Sequence, residues 1–116
     1  MIEQTIYNLL SDVAPTYPIF HEKLYPCLTY AIISGLERYD HDGNSNLKTI
    51  VVQVNAWDTT YAGAKALQDS VFNKIDAYRN SEIRNVFLES KQDLYENETE
   101  IYYCVTDYRI QYREAI

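Results

Sequence analysis

Few residues of this 116-residue chain have the type and spacing that catalysis or metal binding requires. The two histidines, His21 and His41, lie in polar stretches, and neither has a partner at metal-ligand spacing. The sequence has no glycine-rich phosphate loop, no nucleophile elbow and no His-x-x-x-His pair. We therefore predict that both histidines are solvated loop residues without a metal-binding or catalytic role.

The segment from Asp40 through His41, Asp42 and Gly43 has the composition of a calcium-binding loop. An EF-hand loop needs its first carboxylate five positions before the glycine, and that position is Arg38 here. A guanidinium repels calcium from the place where an anion is required. A turn is the better interpretation, and a weak adventitious divalent site is the alternative.

The two cysteines and an acidic cluster are the remaining candidates for chemistry. Cys27 and Cys104 each lie in an apolar stretch that brings no base or cation, so we predict buried, unreactive thiols. No export signal is apparent, so we expect both thiols to be reduced in a cytosol. Glu96, Glu98 and Glu100 are explained by a solvated turn. The sequence thus predicts no enzyme, no cofactor and no metal.

Composition and charge narrow the class of protein. The chain is 47% hydrophobic and carries a net charge of −7, which predicts one globular domain over residues 1–116. Affinity for nucleic acid depends on lysine and arginine, and this chain has ten of them against seventeen acids. No apolar run approaches the roughly 18 residues of a membrane span. Twelve tyrosines indicate either a tyrosine-rich core or an extensive interface.

Hydrophobic periodicity predicts the element order α-β-β-α-β-β. The predicted elements are helices at 2–13 and 60–78 and strands at 27–37, 47–57, 85–95 and 101–112. Pro15 and Pro18 end the first helix and keep the next residues extended. The strands fall into two hairpin-like pairs. The fold class is therefore α+β, with a four-stranded antiparallel or mixed sheet and two helices packed on one face.

The helix stripes and the inner strand positions together predict the core. On the second helix the predicted stripe includes Tyr61 and Leu67, whereas Gln68 falls on another face. The full predicted core is Ile6, Leu9, Leu10, Leu28, Tyr30, Ile32, Ile50, Val52, Val54, Leu67, Val71, Ile75, Cys104 and Ile110. The polar residues 38–46 are too long for a simple hairpin turn, so we predict an arm that orders on assembly.

Five segments in this order resemble a known family. They are Tyr25-Pro26 leading into Leu28-Thr29-Tyr30, then Ile33-Ser34-Gly35, Asp40-His41-Asp42-Gly43, Val52-Gln53-Val54-Asn55-Ala56-Trp57 and Thr60-Tyr61-Ala62-Gly63-Ala64-Lys65-Ala66-Leu67. The ordered set is similar to the tail terminator, or tail completion, proteins of long-tailed phages and prophages, which join tails to heads. The resemblance covers residues 1–78 and extends to the last two strands in pattern only. Residues 17–26 depart from the family by their many aromatic side chains.

The resemblance implies a structural role and a set of partners. Family members form a hexameric ring on the tail tube, stop its polymerisation and present a docking surface to the head connector. The implied partners are other copies of the chain, the tail tube protein and a head-tail connector or head completion protein. DNA passes through the ring without specific binding, and no membrane is involved. The implied location is the head-proximal end of the virion tail, with assembly in the host cytoplasm. The family has no catalytic residues.

A homomeric ring needs two different contact patches on each subunit. Exposed strand faces and the predicted arm are the candidates for these patches. The interface residues proposed from the sequence are Gln53, Trp57 and Tyr103 on the strands and Tyr39, Asp40, His41, Asp42 and Gly43 in the arm. For Trp57 the alternative is that its ring packs under the second helix, which begins a few residues later.

Two other function classes remain open at this stage. A head completion protein predicts the same composition and differs only in where it docks. A small α+β ligand-binding or enzyme domain requires a pocket with converging polar groups, and no strand carries a convincing inward-facing carboxylate or histidine.

Overall fold

The structure is a computed structural model that describes residues 2–18, 25–36, 47–76, 78–79 and 83–113. The elements are α1 Ile2–Ser11, β1 Thr16–Pro18, β2 Cys27–Leu36, β3 Leu47–Asp58, α2 Tyr61–Asp76, β4 Ile83–Glu96 and β5 Ile101–Arg113. The strands form one sheet in the order β1-β2-β3-β5-β4. Among the described strands, β1 and β2 pair in parallel, and the other three pairs are antiparallel. The α+β class and the mixed sheet are confirmed.

The sheet has five strands, so the prediction of four is wrong. The additional strand is β1, which pairs Thr16 with Leu28 and Pro18 with Tyr30. The backbone N–H of Leu28 also donates to the carbonyl of Pro15 at 2.8 Å. The sequence predicted an extended backbone here because of the prolines. Three residues are too few to show an alternating pattern, so the pairing itself carried no sequence signal.

Helix α2 begins where local hydrogen bonds stop the strand. Thr60 is the N-cap, because its hydroxyl accepts a hydrogen bond from the Gly63 N–H at 3.0 Å. The Asp58 carboxylate accepts one from the Thr59 N–H at 2.6 Å and lies against the first turn of the helix. A side chain at Gly63 would overlap this carboxylate. These contacts allow a sharp change from β3 into a helix that folds back over the sheet.

One face of the sheet, here called the inner face, forms the core with both helices. It includes every second residue of β3 from Ile50 to Ala56 and of β5 from Cys104 to Tyr112, and these side chains are buried. Helix α1 contributes Ile2, Ile6, Leu9 and Leu10, and helix α2 contributes Ala64, Val71 and Ile75. The inner-face residues of the two central strands are Ile50, Val52, Val54, Ala56, Cys104, Thr106, Tyr108, Ile110 and Tyr112.

Most of the predicted core is confirmed, with Ile32 as a clear exception. Tyr30 and Leu67 are only partly buried but pack against the core. Ile32 is 37% exposed. A β-bulge follows it at Ile33, and α2 packs mainly on β3, β4 and β5 rather than on this end of β2. The alternating pattern placed Ile32 on the correct face but did not show how far the helices extend over it.

The stripe predicted on α2 is also partly wrong. Tyr61 is 48% exposed, whereas Gln68 is 2% exposed. The Gln68 amide donates to the Thr106 hydroxyl on β5 at 2.8 Å, which satisfies both polar groups inside the core. A polar side chain was assigned to the solvent face because its buried partner lies far away in the sequence.

The β4–β5 hairpin gives the molecule its elongated shape. The principal extents are 51 × 22 × 22 Å and the radius of gyration is 15.0 Å, against about 13 Å for a compact chain of this length. The hairpin turn, residues 97–100, ends with Glu100 at a φ of 55°. Within the described ranges, no helix is long and apolar enough to cross a membrane.

Candidate interface surface

The face of the sheet turned away from both helices, here called the outer face, carries all three interface residues predicted on the strands. Gln53 and Trp57 lie on β3, and Tyr103 lies opposite Trp57 on β5. All three are half-buried, whereas residues beside them in the chain are buried in the core; these are Val52, Val54, Ala56 and Cys104. The regular alternation of β3 and β5 therefore separates these side chains from the core.

Trp57 and Tyr103 form a stacked aromatic pair. Their ring centroids are 4.4 Å apart and their planes differ by 17°. The indole N–H of Trp57 donates to the hydroxyl of Thr29 on β2 at 3.0 Å. Both contacts hold the indole on the outer face, so the alternative in which Trp57 packs under α2 is wrong. The pair presents a rigid aromatic surface whose polar atom is already satisfied, which is typical of an interface anchor.

A chain of hydrogen bonds crosses the outer face beside this pair. The Gln53 amide on β3 donates to Asp107 on β5 at 3.1 Å. The Ser90 hydroxyl on β4 donates to the other oxygen of the same carboxylate at 3.0 Å. Asp107 thus links three adjacent strands. These two hydrogen bonds hold the polar side chains of this part of the face in place.

The edge of the outer face combines an aromatic ring with a cation. The Arg109 guanidinium lies 5.1 Å from the ring centroid of Phe87, which is 42% exposed. The same guanidinium pairs with Glu89 at 2.9 Å. Tryptophan, tyrosine, phenylalanine and arginine are residue types enriched at protein–protein interfaces. The outer face has this composition.

Tyr61, Lys65 and Asp93 form a polar contact, here called the clamp, that joins α2 to the hairpin on the inner side of the sheet. The sequence did not predict it. The Tyr61 hydroxyl donates to Asp93 at 2.9 Å, and the Lys65 ammonium contacts the same carboxylate at 3.3 Å. Lys65 also donates to the Gln68 side chain at 3.1 Å. Tyr61 and Lys65 lie one helical turn apart, but Asp93 is far away in sequence. Spacing along one helix therefore gave no sign of the third partner.

The electrostatics of this clamp are those of a structural contact. The hydrogen bond from Tyr61 holds the pKa of Asp93 below its usual value. The same hydrogen bond raises the pKa of the Tyr61 phenol. A general base needs a phenol whose pKa is lowered towards neutrality, and the shift here has the opposite direction.

Both cysteines are free and buried, as predicted. Burial raises the pKa of the Cys27 thiol to about 11, and the nearby Asp58 carboxylate adds to the effect. Burial likewise raises the pKa of Cys104 to about 11, helped by its hydrogen bond to Asp93. Both thiols are protonated at neutral pH and are weak nucleophiles.

Other predicted residues lie apart from the outer face or outside the described ranges. Glu96 ends β4, and Glu98 and Glu100 are exposed in the hairpin turn. The two histidines and the arm candidates are not among the described residues; these are His21, Tyr39, Asp40, His41, Asp42 and Gly43.

A small cleft lies between the two helices. Its volume is about 270 Å³, and the ion pair between Lys74 and Asp12 at 3.3 Å is part of its lining. Ligand pockets generally occupy about 300–1,000 Å³. Among the residues that the structure describes, no group of three or more histidines, cysteines or carboxylates is placed to hold a metal.

Comparison with known proteins gives a likeness at the level of fold. No family model matches the sequence, and no curated protein matches it. A chain in the solved structure described as "Virion of native gene transfer agent (GTA) particle" superposes with a TM-score of 0.57 at 10% sequence identity. The match covers 94% of this chain and 92% of the other. The two chains therefore share an architecture over nearly their whole lengths.

Proposed function

We propose that this chain is a structural virion protein, and specifically a tail terminator. In this proposal residues 1–116 form one domain, and six copies form a ring on the head-proximal end of the tail tube. The ring stops polymerisation of the tube and gives the head connector or head completion protein a surface to dock on. The protein catalyses no reaction and needs no cofactor.

The observation that carries the proposal is the fold match to a chain of a gene transfer agent virion. Because both chains are covered almost completely, the likeness involves the whole domain rather than a common substructure. The order of the segments from Tyr25-Pro26 to Leu67 supports the narrower role, since it resembles the tail terminator family. The first observation concerns backbone geometry, and the second concerns the order of sequence segments.

In this proposal the outer face supplies one contact patch of the ring. A heterologous ring contact joins two different patches of neighbouring subunits, so one contact surface on the outer side of the sheet would supply one of the two patches. The stacked Trp57 and Tyr103 rings provide the aromatic anchor. We further propose that the excess of acids lets DNA move through the ring without binding to it, because like charges repel phosphates.

Electron microscopy of a null mutant tests the role directly. Deleting the gene from the phage or prophage that carries it should give overlong tails without heads beside filled heads without tails. Tails of normal length that fail to join heads would instead indicate a head completion protein. Normal infectious particles would contradict both roles. The purified chain, alone and added to tail tubes, should form six-fold rings at tube ends.

A further inference from the structure

Three tyrosine rings pack together at the end of the molecule that carries the hairpin turn. The Tyr95 and Tyr102 ring centroids are 4.7 Å apart, and those of Tyr61 and Tyr102 are 5.9 Å apart. They come from three elements, since Tyr61 begins α2, Tyr95 lies near the end of β4 and Tyr102 lies near the start of β5. We call these three rings the tyrosine end.

The tyrosine end is open to solvent. Tyr61 is 48% exposed and Tyr95 is 45% exposed, while Tyr102 is partly buried beneath them. Large aromatic side chains that remain exposed together, rather than singly, mark surfaces that bind something. These rings lie on the helix side of the sheet, so they are separate from the Trp57 and Tyr103 pair on the outer face.

The charges around the three rings define what such a surface can bind. Glu96, Glu98 and Glu100 are exposed in and beside the turn. The pKa of Tyr95 is raised, first by partial burial of the phenol and second by the negative charge of Glu100. Asp93 contacts the Tyr61 hydroxyl directly. Lys65, one helical turn along α2 from Tyr61, is already paired with Asp93. The negative faces of the rings and the carboxylates around them attract the same kind of group.

We propose that the tyrosine end binds arginine side chains of a basic protein segment. Guanidinium groups stack on tyrosine faces and pair with carboxylates, so one residue type uses both features of the surface. Phosphate-bearing partners are repelled by the same carboxylates. The proposal rests on the proposed function in one respect, namely that the basic segment belongs to another protein of the assembly.

The tyrosine end lies at one end of the long axis of the molecule, and this position indicates which protein of the assembly it would contact. The hairpin turn is at one end of a molecule that is 51 Å long and 22 Å wide. The outer face, in contrast, runs along the side of the sheet. In a ring whose subunits contact each other through their sides, the tyrosine end meets the protein above or below the ring. The two surfaces therefore divide lateral and axial contacts between them.

The test is a titration of the isolated ¹⁵N-labelled protein with an oligo-arginine peptide, followed by NMR. We expect saturable shifts confined to amides near Tyr61, residues 93–103 and the start of α2, and no shifts with an oligo-asparagine peptide. Shifts spread over the whole acidic surface would overturn the proposal. So would an absence of binding at low salt.

A charge-matched pair of variants separates a specific surface from general attraction. The triple variant E96Q/E98Q/E100Q and the control E3Q/D69N/D76N remove the same number of exposed carboxylates. The first should weaken binding of the peptide at least tenfold, and the control less than threefold, as order-of-magnitude expectations for close against screened charges. Equal losses in the two variants would show that only net charge matters.

The aromatic contribution has its own control. Y95F keeps the ring face and should bind the peptide like the natural chain, whereas Y95L should bind about 2–5-fold more weakly, the loss expected for one exposed cation–π contact. Equal binding by Y95F and Y95L would exclude a role for the ring. Since all titrations use the isolated chain, a failure here leaves ring formation to be judged separately by microscopy. Binding of the peptide by a chain that forms no rings would contradict only the proposed function.

Discussion

The two faces of the sheet are built from the same strands and do different things. On the inner face of β3 and β5, nearly every side chain is buried under α1 and α2. On the outer face, the alternate residues are half-buried and contact one another across strands, as Trp57 does with Tyr103 and Gln53 with Asp107. Packing against helices stabilises the first face, whereas pairing within the sheet orders the second.

This difference shows that adjacent residues of one strand can have different roles, one in stability and the other in recognition, because they lie on opposite faces of the sheet. Ile110 is a core residue, and Arg109 beside it points to the open face. Substitutions on the inner face should therefore lower the free energy of unfolding, and substitutions on the outer face should affect assembly first. The following predictions test this division.

The largest effect is expected for Ile110→Ala. Ile110 is 1% exposed, and removing its side chain leaves a cavity beside the helices, so the free energy of unfolding should fall by about 2–5 kcal/mol. The matched outer-face variant is Val105→Ala, which should cost less than about 1.5 kcal/mol because Val105 is only half-buried. Urea denaturation of both variants measures the difference. Similar losses would mean that the two faces are not energetically distinct.

The next effect concerns the polar contact inside the core. Gln68→Leu keeps the side-chain volume but leaves the Thr106 hydroxyl without its 2.8 Å partner, so unfolding should become about 1–3 kcal/mol easier. The double variant Gln68→Leu/Thr106→Val removes both polar groups. Thermal unfolding should show that the double variant is more stable than Gln68→Leu alone. If it is less stable than either single variant, the hydrogen bond is not what Gln68 contributes.

These two predictions also show what could and what could not be predicted from the sequence. Both helices and the strands other than β1 were predicted from their hydrophobic patterns, and the strong alternation of β3 placed Trp57 opposite the core set. The burial of Gln68 was missed because its partner Thr106 lies 38 positions away. Periodicity assigns a side chain to a face, but only the register between strands shows which polar groups meet.

The candidate surface was predicted in part for the same reason. Gln53, Trp57 and Tyr103 were assigned to an exposed strand face, and in the structure all three lie on the outer face. The stacking of Trp57 on Tyr103 and the link from Gln53 to Ser90 through Asp107 depend on the register of three strands. The clamp of Tyr61, Lys65 and Asp93 was missed entirely, because it joins a helix to a strand across the inner side.

The variant Trp57→Leu tests whether the outer face contributes more to ring formation than to the stability of the isolated chain. The loss of the stacked ring and of the hydrogen bond to Thr29 should cost the isolated chain about 1–2 kcal/mol, a moderate effect that leaves it folded. Ring formation, measured by electron microscopy and light scattering, should weaken by about tenfold or more, as for an interface anchor. Val105→Ala serves as the control for the outer face. Rings of natural stability in Trp57→Leu would remove Trp57 from the interface.

The smallest effect on stability is expected for Asp93→Asn, which alters the clamp formed by Tyr61, Lys65 and Asp93. The pKa of Asp93 is lowered in the folded chain by the hydrogen bond from Tyr61 and the nearby Lys65, so the charged carboxylate stabilises the fold. A carboxylate whose pKa is lowered by folding stabilises the fold fully at pH values above its unfolded pKa of about 3.9. That stabilisation is lost as the pH falls through the folded pKa.

The Asp93 side chain is 39% exposed, so solvent screening limits the effect to under about 1 kcal/mol. Asp93→Asn should therefore be slightly less stable than the natural chain at pH 7, and the difference should disappear as the pH falls through the lowered pKa of Asp93. The same comparison for Asp69→Asn, an exposed carboxylate on α2, controls for net charge. A difference between Asp93→Asn and the natural chain that persists unchanged at low pH would mean that the clamp acts through the shape of the side chain rather than through its charge.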